Sequence, residues 1–189
     1  MLIFFKIKRK IQAWVMNFRR DIKILEWKTI YPKRFSTEGR LSFGKFFSVD
    51  YDLSSSVVTL KKNVSFRNFC HVRSGMDSKL TIGENVFFNN GCSITCLSEI
   101  TIGNDCQFGE NVKFYDHNHQ YSKSNKLINL QGYTFGSIRI GNNCWFGSDV
   151  IVLKGVEIGD NVVIGAGCIL YKSIPAGSII VNKQNLSGA

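Results

Sequence analysis

Proline is scarce in this chain, with 2 in 189 residues, and so are histidine (3), methionine (3) and tryptophan (3). Apolar runs end after about four residues, as from Leu2 to Phe5, where roughly 20 are needed to cross a bilayer. That first run is broken by Lys6, Lys8, Arg9 and Lys10 before the apolar core of a secretory signal could form. Acidic residues number 14 against 24 Lys and Arg, a net charge of +10, which raises the question of nucleic acid. The location of the charge argues against that partner. Residues 1–40 hold 11 basic and 3 acidic residues, whereas residues 41–189 hold 13 and 11. The body is near neutral, so the excess belongs to the front of the chain. With 44% hydrophobic residues, the length suits one domain with a continuous core.

Repetition is what the sequence has in abundance. Large apolar residues recur every six positions at Ile140, Phe146, Val152, Ile158, Ile164 and Leu170. The same spacing links Ile102, Phe108 and Phe114, then Ile82, Phe88 and Ile94, then Leu60, Phe66 and Val72. A period of six matches neither an amphipathic helix nor a long alternating strand. It suits a coil of short strands and turns, in which three hexads close one triangular turn and the aliphatics stack inward. The segments Ile82-Gly83-Glu84-Asn85-Val86, Ile102-Gly103-Asn104-Asp105-Cys106, Ile140-Gly141-Asn142-Asn143-Cys144 and Ile158-Gly159-Asp160-Asn161-Val162 place Gly, Asn and Asp where corners are needed. Over roughly residues 58–174 the pattern resembles the hexapeptide-repeat family. The resemblance implies a mainly β fold, a left-handed parallel β-helix with a short N-terminal amphipathic helix and one long loop inserted between coils.

Cys70, Cys92, Cys106, Cys144 and Cys168 each lie four positions after a large apolar residue, the slot that Val86, Val112, Val150, Val156 and Val162 fill elsewhere. They read as small buried hydrophobes. Cys92 and Cys96 form a CxxxC pair, but no second pair has zinc-ligand spacing. Free thiols fit a reducing compartment, so the expectation is a cytoplasmic protein.

The period stops after Phe114 and resumes at Ile140. The interruption, residues 115–139, opens with Tyr115-Asp116-His117-Asn118-His119-Gln120-Tyr121 and holds two of the three histidines. A long excursion from a regular solenoid is expected to be functional. The Asp-His-Asn-His segment, followed by Ile140-Gly141-Asn142-Asn143-Cys144-Trp145-Phe146-Gly147-Ser148, resembles hexapeptide-repeat acetyltransferases, above all the sugar O-acetyltransferases and the galactoside and maltose acetyltransferases. That resemblance implies acetyl-coenzyme A as donor, no metal, and His117 as general base, with His119 as the alternative base. The chemistry suits imidazole. A sugar hydroxyl is a weak nucleophile at neutral pH and must lose its proton as it attacks the thioester.

The same resemblance implies an acceptor-side role for Asn89. His119 is expected to bind substrate or support the base. Asp116 is expected on the acceptor side as a solvated loop carboxylate, with orientation of a neighbouring imidazole as its alternative role. It implies donor-side roles for Trp145, Ser148, Ala166, Gly167, Lys172 and Lys183. Each has a plainer reading: Asn89, Ala166 and Gly167 as corner residues, Trp145 as a contact between subunits, the lysines as solvated surface. After Ser173-Ile174-Pro175-Ala176-Gly177 the family's usual Gly-x-Pro-Ala-Lys type segment is replaced by Val181-Asn182-Lys183-Gln184, which leaves the adenine end open. Two segments are expected: a basic helical or capping segment over 1–40, and a β-helix acyltransferase domain over 41–189 with the loop 115–139. The implied assembly is a homotrimer with active sites between subunits. The implied acceptor is a sugar or surface-polysaccharide precursor. The alternatives are N-acetylation of an amino sugar or antibiotic, and a metal enzyme of the γ-carbonic anhydrase type. The last needs three histidines from adjacent coils around one zinc.

Ile3, Ile7, Ile11, Trp14, Val15, Phe18, Ile22 and Leu25 recur three or four apart, a helical stripe over residues 1–26 with a basic opposite face. Two roles follow from the pattern: a cap on the open first coil, which we favour, or an interfacial helix on anionic lipid at the inner face of a membrane. Nucleic acid is not an expected partner.

Overall fold

The computed structural model describes residues 2–30, 33–51, 55–75, 77–122 and 126–182. A helix, Leu2–Ile30, leads into three parallel sheets wound as one solenoid. The first sheet stacks Phe35–Thr37, Val57–Leu60, Lys79–Ile82, Glu99–Ile102, Ile138–Ile140 and Glu157–Ile158. The second runs through Phe43, Phe66, Phe88, Phe108, Phe146, Ile164 and Ile180, and the third through Val49, Val72, Ile94, Phe114, Val152 and Leu170. This parallel three-sheet architecture is consistent with the left-handed β-helix expected from the repeats. Its first strand lies at Phe35–Thr37, so the solenoid begins ahead of residue 41.

Every large residue of the six-residue period is buried, from Leu170 at 5% exposure to Phe114 and Phe146 at 0%. The slot four positions later is buried too, with Val86, Val112, Val150, Cys70 and Cys106 all at 0%. All six cysteines are free and buried. Burial, followed by the Asp116 charge beside it, pushes the Cys96 thiol above its ordinary pKa. Inside the second sheet the rings of Phe66, Phe88 and Phe108 stack at 4.4 and 4.7 Å, and Phe146 follows at 4.9 Å from Phe108.

The corner between the first and second sheets shows why glycine recurs there. A Cβ on Gly83 would lie 2.5 Å from the Gly103 oxygen, and one on Gly103 would lie 2.5 Å from the Gly141 oxygen. The coils therefore approach backbone to backbone. Asn85, Asp105, Asn143 and Asn161 follow in left-handed backbone, with φ between 52° and 58°, a region these short polar residues tolerate. Two aromatic residues break that rule. Phe46 and Phe69 also hold positive φ, and their exposed rings stack 4.9 Å apart.

The phase slips have a simple geometry. Leu60 pairs with Ile82, Ile82 with Ile102, Ile102 with Ile140 and Ile140 with Ile158. Most additional residues sit at the corner between the third and first sheets. The loop is the largest insertion there, and the register below it is unbroken.

Among the described side chains, the helix caps the first coil through its last turns. Trp27 is buried with its ring edge-on to Phe35 and Phe43 at 5.2 and 5.6 Å, and Ile24 packs beside it. The Lys23 ammonium donates to the Phe47 carbonyl oxygen at 2.9 Å. The helix thus caps the first coil as expected, but through residues outside the stripe. Ile7, Ile11, Trp14, Phe18, Ile22 and Leu25 are between 48% and 66% exposed. Trp27, outside the stripe, makes the cap.

Candidate active site

The loop between Tyr115 and Ile138 is ordered at its root by an antiparallel hairpin. His117 faces Phe135, Asn118 faces Thr134, and His119 faces Tyr133. Alternation puts His117, His119, Tyr133 and Phe135 on one face of this hairpin. Tyr133 lies edge-on to His117 at 5.5 Å between ring centroids and 4.6 Å from His119. Nothing in the sequence marked Tyr133, because its partner is set by the reach of the return strand.

Asp116 is fully buried, which overturns the expectation of a solvated carboxylate and removes it from direct contact with an acceptor. Its Oδ1 and Oδ2 accept the Leu97 N–H at 2.9 and 3.1 Å, and Oδ2 accepts the Ser98 N–H at 2.7 Å. Its backbone oxygen accepts the Gly136 N–H at 2.9 Å. One residue thus ties the corner of the coil above to both legs of the hairpin. Oδ1 also lies 3.2 Å from His117 Nδ1. A carboxylate only accepts, so that contact is a hydrogen bond when Nδ1 carries the proton. Nε2 is then the nitrogen with a free lone pair. The side chain of His117 is 14% exposed, so the ring is held yet reachable. His119 is exposed.

Replacing Asp116 with alanine strands two part-buried N–H groups and releases the ring. We expect a loss of about 3 kcal/mol in unfolding free energy, measured by urea denaturation. A variant as stable as the parent would show that the carboxylate does not hold this corner.

Four of the remaining predicted residues occupy a different edge of the solenoid. Asn89, Ser148, Ala166 and Gly167 lie at the corner between the second and third sheets. Asn89 accepts the Asn90 N–H through its own Oδ1 at 2.9 Å, a corner role. Ser148 Oγ accepts the Glu110 N–H at 3.3 Å. Ala166 and Gly167 are exposed, and Gly167, at φ 72°, donates its N–H to the Ser148 oxygen at 2.9 Å. Trp145 projects from the second sheet, half exposed. Lys172 returns to the histidine edge, two coils further on, with its ammonium 5.8 Å from the centroid of the Tyr171 ring. Lys183 lies outside the described residues.

The two edges bound the third sheet, whose strands of two to four residues set them about 10 Å apart. One chain therefore does not bring His117 onto Asn89 or Ser148. The loop also presents Tyr121, Leu127, Ile128, Leu130 and Phe135, each more than half exposed. His71, the third histidine, is tied instead to Ser48 Oγ at 2.9 Å and lies 3.7 Å from an Asp50 oxygen. Among the described residues no three His, Cys, Asp or Glu side chains are placed to hold a metal ion.

Comparison with known proteins matches the repeat sequence and the fold. Residues 137–172 match the family described as bacterial transferase hexapeptide (six repeats). The chain is 33% identical over 101 residues to an Escherichia coli K12 protein named "Putative colanic acid biosynthesis acetyltransferase WcaF", covering 53% of each. The chain thus spans about half the length of the curated relatives it matches. Among solved structures it resembles a maltose O-acetyltransferase of Clostridium difficile 630, with a TM-score of 0.54 and 28% identity over 80% of this chain and 67% of that one. A galactoside acetyltransferase in complex with coenzyme A gives a TM-score of 0.51 and 26% identity, covering 87% and 75%.

Proposed function

We propose that this chain, whose residues 137–172 match the hexapeptide repeats of bacterial transferases, is an acetyltransferase that moves an acetyl group from acetyl-coenzyme A to a hydroxyl of a sugar or surface-polysaccharide precursor. The observation that carries the proposal is His117, partly exposed at the root of the hairpin with Nδ1 against the buried Asp116. The names of the relatives support the donor and the acceptor class.

The reaction follows from the tautomer. Nε2 takes the acceptor's hydroxyl proton as that oxygen bonds to the thioester carbonyl carbon. Asp116 keeps the ring oriented and faces the imidazolium that forms. The tetrahedral adduct collapses by breaking the carbon–sulfur bond, and the imidazolium returns its proton to the departing thiolate. The proton balance closes without an acyl-enzyme. On the donor side, Trp145 offers an exposed ring, Ala166 and Gly167 an exposed corner over which Asn182 donates to the Gly167 oxygen at 3.3 Å, and Lys172 a cation for phosphate.

The separation of the two edges supports a homotrimer in which the histidine edge of one subunit meets the Ser148 and Gly167 edge of the next. The exposed apolar side chains of the loop would then be covered. The test is release of free thiol from acetyl-coenzyme A against a panel of sugars and nucleotide sugars, with the products weighed by mass spectrometry. An acceptor gaining one acetyl group on oxygen is the expected result. Absence of transfer to every hydroxyl, with transfer to an amine, would overturn the O-acetyl assignment.

A further inference from the structure

We propose that the N-terminal helix is a membrane-surface anchor, laid on anionic lipid through the apolar stripe that the solenoid leaves uncovered. At about 100° per residue, Ile7, Ile11, Trp14, Phe18, Ile22 and Leu25 fall within about 80° of arc. All six are exposed, and Trp14 and Phe18 stack at 5.6 Å along the stripe. Trp27, which makes the cap, sits on the opposite side of the same helix. The packing that holds the helix to the first coil therefore turns the stripe outward.

Charge selects the occupant. The helix carries eight Lys or Arg against only Asp21 and Glu26, whereas residues 41–189 are nearly balanced. Arg20 is engaged with Asp21 at 2.7 Å. Lys8 and Lys10, both exposed, flank the stripe on its two sides near its N-terminal end, Lys28 continues the second flank, and the exposed Asp21 and Glu26 lie one on each flank near its C-terminal end. The like charges at the N-terminal end oppose packing of that part of the stripe against a parallel, identical helix. They suit an anionic surface, where apolar side chains enter the acyl boundary and lysines reach the phosphates. No helix among the described residues is long and apolar enough to cross a membrane, so the helix would lie along the interface.

The experiment uses the full chain in co-sedimentation with vesicles of phosphatidylcholine, alone or with roughly one-third phosphatidylglycerol. Expected are binding to the anionic vesicles, loss of that binding in high salt, and a blue shift of tryptophan fluorescence. The double variant Phe18→Ser/Leu25→Ser keeps its unfolding midpoint, because both side chains are exposed, and loses at least about tenfold in partitioning. Absence of binding to anionic vesicles, equal binding to neutral ones, or undiminished binding by the double variant overturns the anchor. So does a change of oligomeric state in that variant with vesicle binding intact. Vesicle binding requires no acetyl-coenzyme A, so the anchor and the acetyl transfer fail independently.

Discussion

Replacing His117 with alanine is expected to lower the turnover of acetyl transfer by about 10²–10⁴-fold, the range that a positioned general base supplies. Its geometry is the reason. The ring is pinned by the buried Asp116 at 3.2 Å and flanked edge-on by Tyr115 and Tyr133 at 6.3 and 5.5 Å, so its orientation is set before substrate arrives. The unfolding midpoint should change little, because the fold's ties at this corner run through Asp116 to Leu97, Ser98 and Gly136. His119→Ala, at an exposed ring, should cost less than about tenfold in turnover, by the same measure of general-base catalysis. The steady-state comparison of the two variants decides the base. A His117→Ala enzyme at parental turnover would refute the assignment, and a larger loss at His119 would move the base two residues along the strand.

The largest stability effect should come from Phe108→Ala, at about 3–5 kcal/mol. Phe108 is 1% exposed and sits between Phe88 at 4.7 Å and Phe146 at 4.9 Å, with Phe114 edge-on at 5.2 Å. Truncation opens a cavity at the coil that carries the loop. Repeats in a solenoid contact only their neighbours, so a weak middle coil uncouples the halves on either side. Chemical unfolding should show a lower midpoint and, in the variant, a broadened or stepped transition. Phe108→Leu, which keeps most of the volume, should cost less than about 2 kcal/mol. A loss below about 1 kcal/mol for the alanine variant would show that the coils close over the gap, contrary to the tight packing of such cores.

Residues 58–174 were legible as a solenoid because each inward position repeats at a fixed interval and burial at those positions is uniform. Leu60, Ile82, Ile102, Ile140 and Ile158 lie in one column even though the loop separates two of them. Five of the six cysteines fell into the same register, and all six are buried. His117 was legible as a break in that rule. The burial of Asp116 was not, since a polar residue beside a loop gives no sign of the two N–H groups waiting in the turn above it. Tyr133 was hidden for a related reason. Its place beside both histidines depends on the register of a return strand sixteen residues after His117.

The stripe on the N-terminal helix shows the division most clearly. Periodicity marked residues 1–26 as an amphipathic helix, which the structure carries on to Ile30, and the charge count determined that it would be basic. Only the tertiary structure decided that Trp27 would plug the first coil and leave the stripe facing away from it. The same holds for the candidate site. Spacing named the corners, but which corners share an edge depends on how many residues close each coil. Local periodicity records which side chains avoid water. What they meet instead is set by packing between segments far apart in the chain.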